Sequence, residues 1–307
     1  MINRKQNIAV LLAAYDGEKY IRTQLDSILN QINVDVSIFI SVDKSSDYSL
    51  SIVQEYAKLF PKIVTILPYG IKYGSAAKNF FRLIMEVDLS QYDYVALSDQ
   101  DDIWESDKLS HGIKEICKYK SSALSSDVIA FWPDGKEKIL RKNYPQTKYD
   151  YLFESAGPGC TFILKYDLVS QLKLDLIKNK AKLDLIWMHD WFIYSYARQK
   201  GFKWVIDKNP LIRYRQHASN EVGARSGWHP FIYRVRKILN VSGIDNVLKQ
   251  SRFLEQTELE PIKLLLKGDF ISHMKLLILS RFCRRKLTDK FFIFFAFILL
   301  YAKKNIK

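Results

Sequence analysis

Apolar residues gather in short runs along the first third of the chain, Ile8–Ala14, Val36–Val42, Ile63–Leu67 and Tyr94–Leu97, each rich in β-branched side chains. Between them lie longer mixed stretches such as Tyr20–Leu29 and Leu50–Leu59, with apolar positions at helical spacing. Short runs bounded by polar turns predict buried strands, and the mixed stretches predict amphipathic helices. Strand alternating with helix predicts an α/β fold with a mainly parallel sheet flanked by helices, because parallel neighbours need a crossover connection.

The alternation breaks over 127–150, where Pro133, Gly135 and Pro145 predict an irregular excursion before the Gly157-Pro158-Gly159 turn. A strand at Thr161–Leu164 and a helix at Asp190–Gln199 then resume the domain. Beyond Gly223 the texture becomes that of basic amphipathic helices, Tyr233–Leu239 and Ile262–Phe282, ending in the apolar run Phe291–Leu300 flanked by Lys290 and Lys303-Lys304. That run is well short of the ~20 residues needed to cross a bilayer. It is expected to lie in the membrane interface, with a buried helix or a homodimer contact through the C-terminal helices as the other solutions. The neighbouring Arg284-Arg285-Lys286 cluster favours lipid.

Composition bounds the possibilities further. With 48% hydrophobic and 14% aromatic residues, the 307-residue chain buries a large core, which excludes general disorder. Of the net charge of +14, the segment from Arg225 onward supplies most, with 17 Lys/Arg against 6 Asp/Glu. A surplus confined to one end predicts docking on something anionic; a membrane surface is the expected partner and nucleic acid is not. Cys117, Cys160 and Cys283 are odd in number and widely spaced, and are expected to be reduced thiols. The run Ile8–Ala14 follows Arg4 and Lys5, but Asp16, Glu18 and Lys19 come at once after it, so it reads as a first strand and not as a signal peptide.

The chemistry concentrates at the strand ends: Tyr15-Asp16-Gly17, Asp43-Lys44-Ser45 and Asp99-Gln100-Asp101-Asp102. Ligands of open α/β sheets bind in the crevice outside those carboxyl ends. Three carboxylates crowded after one strand repel each other unless a cation joins them. A hard divalent ion, Mg²⁺ or Mn²⁺, is the simplest partner, and it keeps positions open for a diphosphate. An Asp-x-Asp pattern by itself is also a common solvated turn.

The blocks AAYDGEKYIRTQLDSILNQ, SVDKSSD, GSAAKNF and ALSDQDDIW, followed by GPGCTFIL, MHDWFIYSYARQKG and LIRYRQHASNEVG, make the chain resemble the inverting family 2 glycosyltransferases, in their rhamnosyltransferase-like branch, over roughly residues 7–223. The resemblance implies a GT-A fold over residues 1–224, with a nucleotide half at 1–102 and an acceptor half at 103–224, leaving 225–307 as a helical tail for membrane association. It implies that Tyr15, Asp16 and Asp43 line the base and ribose pocket, although Val42 and Lys44 replace an acid and a glycine usual beside Asp43. Lys78 and Asn79 are then expected on the donor, and Arg215, with Arg213 and Arg225, on the diphosphate. Asp99, which also faces the donor, is expected to hold the metal with Asp101 and His217, and Asp102 fits either role.

By the same resemblance Asp190 is the base that deprotonates the acceptor, a role compatible with capping the helix Trp191–Gln199. Gly159, Thr161, His189 and Trp191 are expected on the acceptor side, with Trp187 near them. The activity implied is transfer of a sugar, L-rhamnose from dTDP-β-L-rhamnose, to a lipid-linked saccharide of a cell-surface polysaccharide, in the cytoplasm at the inner face of the cell membrane. A UDP-glucose or UDP-galactose donor on the same fold is the alternative. A non-catalytic basic module for lipid or nucleic acid leaves Asp190 and the ordered blocks unexplained.

Overall fold

A computed structural model describes residues 5–217 and 242–305. Its chain forms two compact units: one runs to Asn143 and adds Ala156–Leu183 and 188–217, the other gathers Tyr144–Ser155, Asp184–Trp187 and 242–305.

The first unit is built on a seven-stranded sheet. Its central strand β1 (Gln6–Ala14) pairs in parallel with β2 (Val34–Val42) on one side and β4 (Tyr94–Ser98) on the other, and β3 (Val64–Ile66) extends it beyond β2. Next to β4 comes β9 (Ile163–Lys165), antiparallel to both its neighbours, then β6 (Ala123–Ser126) and β10 (Trp204–Asp207). Residues 8–12 of β1 have no exposed surface, which explains why this strand reads as an unbroken apolar run and not as an alternation. Helices α1 (Ile21–Leu29), α2 (Ser49–Leu59), α3 (Ala76–Glu86), α4 (Lys108–Tyr119), α5 (Tyr166–Lys178) and α6 (His189–Gln199) supply the covering layers. The α/β class with its mainly parallel sheet and flanking helices is therefore the observed one.

The stretch read as an irregular excursion contains a hairpin. β7 (Val128–Phe131) pairs antiparallel with β8 (Glu137–Leu140), the turn passing through Gly135 at φ 82°. In a second, four-stranded sheet, β7 also pairs with β11 (Ile212–Arg215), which pairs in turn with the two-residue β5 (Ile103–Trp104).

The second unit contains α7 (Ser242–Phe253), α8 (Glu260–Lys267), α9 (Phe270–Leu279) and α10 (Leu287–Asn305). The helix expected over Ile262–Phe282 is broken: Gly268 ends α8 at φ 64°, and Asp269 caps α9 by accepting from the Ser272 backbone N–H at 2.9 Å. Tyr233–Leu239 lies outside the described residues. Arg285, expected to face lipid, is buried instead: its guanidinium donates to Asp150 Oδ2 at 3.0 Å and to the Ser155 carbonyl at 2.5 Å. An enclosed carboxylate is costly without a partner, and Asp150 draws this arginine inward.

Candidate active site

The loops after β1 and β2 are laced together. Asp16, at φ 44°, accepts from the Ser46 N–H at 2.8 Å, and its own N–H donates to Ser45 Oγ at 3.0 Å. Gln100 clasps the half-exposed Tyr15 from both sides, accepting from its N–H at 2.7 Å and donating to its carbonyl at 2.8 Å. A Cβ on Gly17 would stand 2.2 Å from Gln100 Oε1, so this clasp requires glycine there. The clasp ties the Tyr15 loop to the acidic segment after β4, a link that no local sequence signal announces.

Asp43 is buried, and its carboxylate is engaged by backbone. It accepts from the N–H groups of Lys44 at 2.8 Å, Tyr73 at 2.7 Å and Gly74 at 2.8 Å, and so shapes the 73–74 loop. Asn79, expected on the donor, is only 2% exposed. Its amide donates to the Ser41 carbonyl at 2.9 Å and the Ala14 carbonyl at 3.4 Å, tying together the ends of β1 and β2. Lys78 sits beside it in the first turn of α3, where its N–H is capped by Ser75 Oγ at 3.3 Å.

The acid segment is completed by β11. Pairing of Ile212 with Trp104 and Arg213 with Ile103 runs β11 back along β5, so its following residues meet the acids that precede β5. The Arg215 N–H donates to Asp102 Oδ1 at 3.2 Å, its Nε donates to the Asp101 carbonyl at 2.9 Å, and its guanidinium lies 4.4 Å over the Tyr20 ring. His217 Nε2 lies 2.7 Å from Asp101 Oδ2. Arg213 is directed elsewhere, onto Glu137, and Arg225 lies outside the described residues.

Beneath these residues is a buried polar cluster. Ligand atoms of Asp99, Asp102 and Cys160 all lie within 4.8 Å of one another. Asp102 is 1% exposed and its Oδ2 has no hydrogen-bond partner among the described residues. Burial, reinforced by the charge of Asp101, pushes its pKa up to about 8. Lys108 is buried, its Nζ without a hydrogen-bond partner among the described residues and 3.5 Å over the Trp104 ring, and burial pulls it down to about 7. Burial likewise holds Cys160 as a thiol.

Crowded acids with an unsatisfied buried oxygen are what a divalent cation relieves, so the donor set fits a metal. Of the residues expected to hold the metal, Asp99 lies in this group, while Asp101 and His217 pair with each other beside it. Asp102, Cys160 and Lys108 enlarge the cluster, and the last two carry no sequence signal.

The acceptor-side residues meet this cluster through one turn. Gly159 precedes Cys160, and a Cβ on it would stand 2.3 Å from His189 Nε2, so glycine lets the ring approach. That ring stacks on Phe80 at 4.1 Å, and burial lowers it to about 3, leaving a neutral imidazole. Asp190 follows within the first turn of α6, 6% exposed, its Oδ1 accepting from the Trp191 N–H at 2.6 Å. The cap position itself belongs to Met188, not to Asp190. Trp191 is 7% exposed and packs in the interior, and the buried Thr161 hydroxyl donates to the Pro158 carbonyl at 2.7 Å. Trp187 is exposed.

Comparison with known proteins agrees with this architecture. Residues 9–169 match the Glycosyl transferase family 2 profile. The chain is 40% identical to a dTDP-rhamnosyl transferase, RfbG, of Shigella flexneri, over 94% of this chain and 99% of the relative. It is 24% identical to the putative glycosyltransferase EpsH of Bacillus subtilis, over 89% and 76%. Among solved structures, S. aureus TarS in complex with UDP-GlcNAc superposes with a TM-score of 0.53 at 14% identity, covering 90% of this chain and 80% of that one. A mannosyltransferase from Pyrobaculum calidifontis, in complex with GDP-Man and Mn²⁺, gives 0.51 at 14% identity, covering 99% and 88%. With the acids gathered past β4 and a family profile spanning half its length, the chain belongs to glycosyl transferase family 2 and is a sugar-transferring enzyme of GT-A architecture.

Proposed function

We propose that this enzyme transfers L-rhamnose from dTDP-β-L-rhamnose, with inversion, to a lipid-linked saccharide presented at the cytoplasmic face of the membrane during synthesis of a surface polysaccharide. The donor assignment draws on the 40% identity to RfbG along nearly the whole chain. The mechanism draws on one observation above all: Cys160 lies in the acid cluster, and Gly159 before it packs against His189, the chain neighbour of Asp190.

Asp99, Asp101 and His217, with Asp102 behind them, would hold Mg²⁺ or Mn²⁺, which would supply the positive charge that a departing diphosphate needs. Arg215, fixed on Asp101 and Asp102 and backed by Tyr20, presents its guanidinium to the same phosphates. Tyr15 and Asp16 offer the exposed wall for the nucleoside, and the loop held by Asp43 closes its edge. Asp190, screened from bulk water, accepts the proton of the acceptor hydroxyl as that oxygen attacks the anomeric carbon. No enzyme nucleophile is required, which is why one base and one electrophilic clamp suffice. Neutral His189 stays beside Asp190 without competing for the proton.

The test is a donor panel. Purified protein with a lipid-linked acceptor extract is expected to release dTDP from dTDP-β-L-rhamnose and to leave UDP-glucose and UDP-galactose intact. Acceptor-dependent UDP release exceeding dTDP release would replace the rhamnose assignment with a hexose one.

A further inference from the structure

We propose that α9 and α10 form a helical hairpin whose outer face docks on an anionic phospholipid surface, lying in the interface plane. The claim is separate from the choice of donor and acceptor, and it places the contact away from the Arg284-Arg285 pair.

The hairpin is antiparallel. The Phe270 and His273 rings, at the start of α9, lie 5.9 Å and 4.8 Å from Tyr301, near the end of α10. Its inner face is occupied: Leu276 of α9 and Ile293 and Phe297 of α10 are buried, Phe297 packing 5.9 Å from Phe153 of the same unit. The outer face is not. Phe270, Ile271 and Ile278 on α9 and Leu287, Phe291 and Phe295 on α10 are each 57–67% exposed. Their spacings, a turn or two apart along each helix, make two parallel apolar stripes. Contiguous exposed apolar surface of this kind marks an interaction site in a soluble domain.

Charge selects the occupant. Lys275 lies among the exposed apolar positions of α9, and Arg281, Lys286 and Lys290 follow between and into the two helices. The acids of this stretch are few, and Asp269 is engaged in capping α9. A basic rim around apolar side chains attracts an anionic leaflet and repels a second copy of itself. Among the described residues no helix is long and apolar enough to cross a membrane. An amphipathic helix of this type lies with its apolar side chains about 5–10 Å into the headgroup and acyl boundary.

The experiment uses the full chain in vesicle co-sedimentation, with phosphatidylcholine vesicles and with vesicles carrying about a third phosphatidylglycerol. Wild type is expected to pellet with the anionic vesicles, less so as salt rises. Phe291→Ser/Phe295→Ser is expected to weaken that partitioning at least ~10-fold, given the transfer free energy of two phenyl groups. Lys275→Glu/Lys286→Glu should abolish the preference for anionic lipid. A far-UV circular dichroism melt matching wild type checks that each variant folds, and nucleotide binding, which reports on the first unit, keeps loss of lipid binding separate from a wrong donor assignment. The proposal is overturned if both variants pellet like wild type. It is equally overturned if light scattering finds a dimer that Phe291→Ser/Phe295→Ser dissociates while lipid binding is unchanged.

Discussion

Asp43 and Asp102 follow two strands that flank β1, and both are buried, at 3% and 1% exposure, yet their surroundings treat them in opposite ways. Three backbone N–H groups converge on Asp43, so its charge fixes a loop. Among the described residues Asp102 receives one N–H at 3.2 Å on Oδ1 and none on Oδ2. Asp150, in the second unit, resembles Asp43 in being answered, there by Arg285. Burial alone therefore does not distinguish a structural acid from a functional one. The partner does: a carboxylate answered on both oxygens holds the fold, and one with a single oxygen left open beside Asp99 and Asp101 is suited to an incoming cation.

The sharpest way to break this contrast is to remove an answer. Arg285→Met takes the guanidinium away from the buried Asp150, and urea unfolding should lose about 3–5 kcal/mol. Adding Asp150→Asn to the same chain should recover much of that loss. On the functional side, Asp101→Asn is expected to lower kcat/KM on the order of 10²–10³-fold in nucleotide release while leaving the thermal midpoint close to wild type. Asp43→Ala should behave in the reverse manner. Stability should fall by about 2 kcal/mol as the 73–74 loop loses its acceptor, with weaker donor binding and a smaller change in kcat.

The smallest effect is a pH dependence. Asp102 has its folded pKa raised from 3.8 to about 8, so between those values the folded chain holds a proton that the unfolded chain has released. Stability contributed at this position is then lost as pH rises through that window. In chelator, Asp102→Asn should remove that slope, and its advantage over wild type in urea unfolding should be larger at pH 8 than at pH 4. An advantage that shrinks toward pH 8 would show that Asp102 is ionised in the fold, answered like Asp43.

Much of this was legible in the sequence, for physical reasons. β1, β2 and β4 are buried and therefore appear as plain apolar runs, their observed limits within two residues of those read. The acids after β4 announced themselves by crowding. The second sheet did not: β5 is two residues long, and β8 begins with exposed Glu137-Lys138, so neither carries a strand pattern. The α8–α9 break was masked because apolar periodicity continues across Gly268-Asp269. Arg285 was misread as a lipid contact because its partner Asp150 lies 135 positions earlier, beyond the reach of any local pattern. The bonds from the Asn79 amide to two strand carbonyls were not legible either, because a motif position does not tell what lies beneath it.

Asp190 is where the chemical account is most exposed to a single result. Asp190→Asn preserves the size of the side chain and can still accept the Trp191 N–H through its amide oxygen, but it cannot take a proton from an alcohol. In one preparation, dTDP affinity by calorimetry and rhamnosyl transfer by single-turnover chromatography should part company: affinity within about twofold of wild type, transfer down on the order of 10²–10⁴-fold. Transfer at close to the wild-type rate would contradict the account, since the proton would then be leaving by another group.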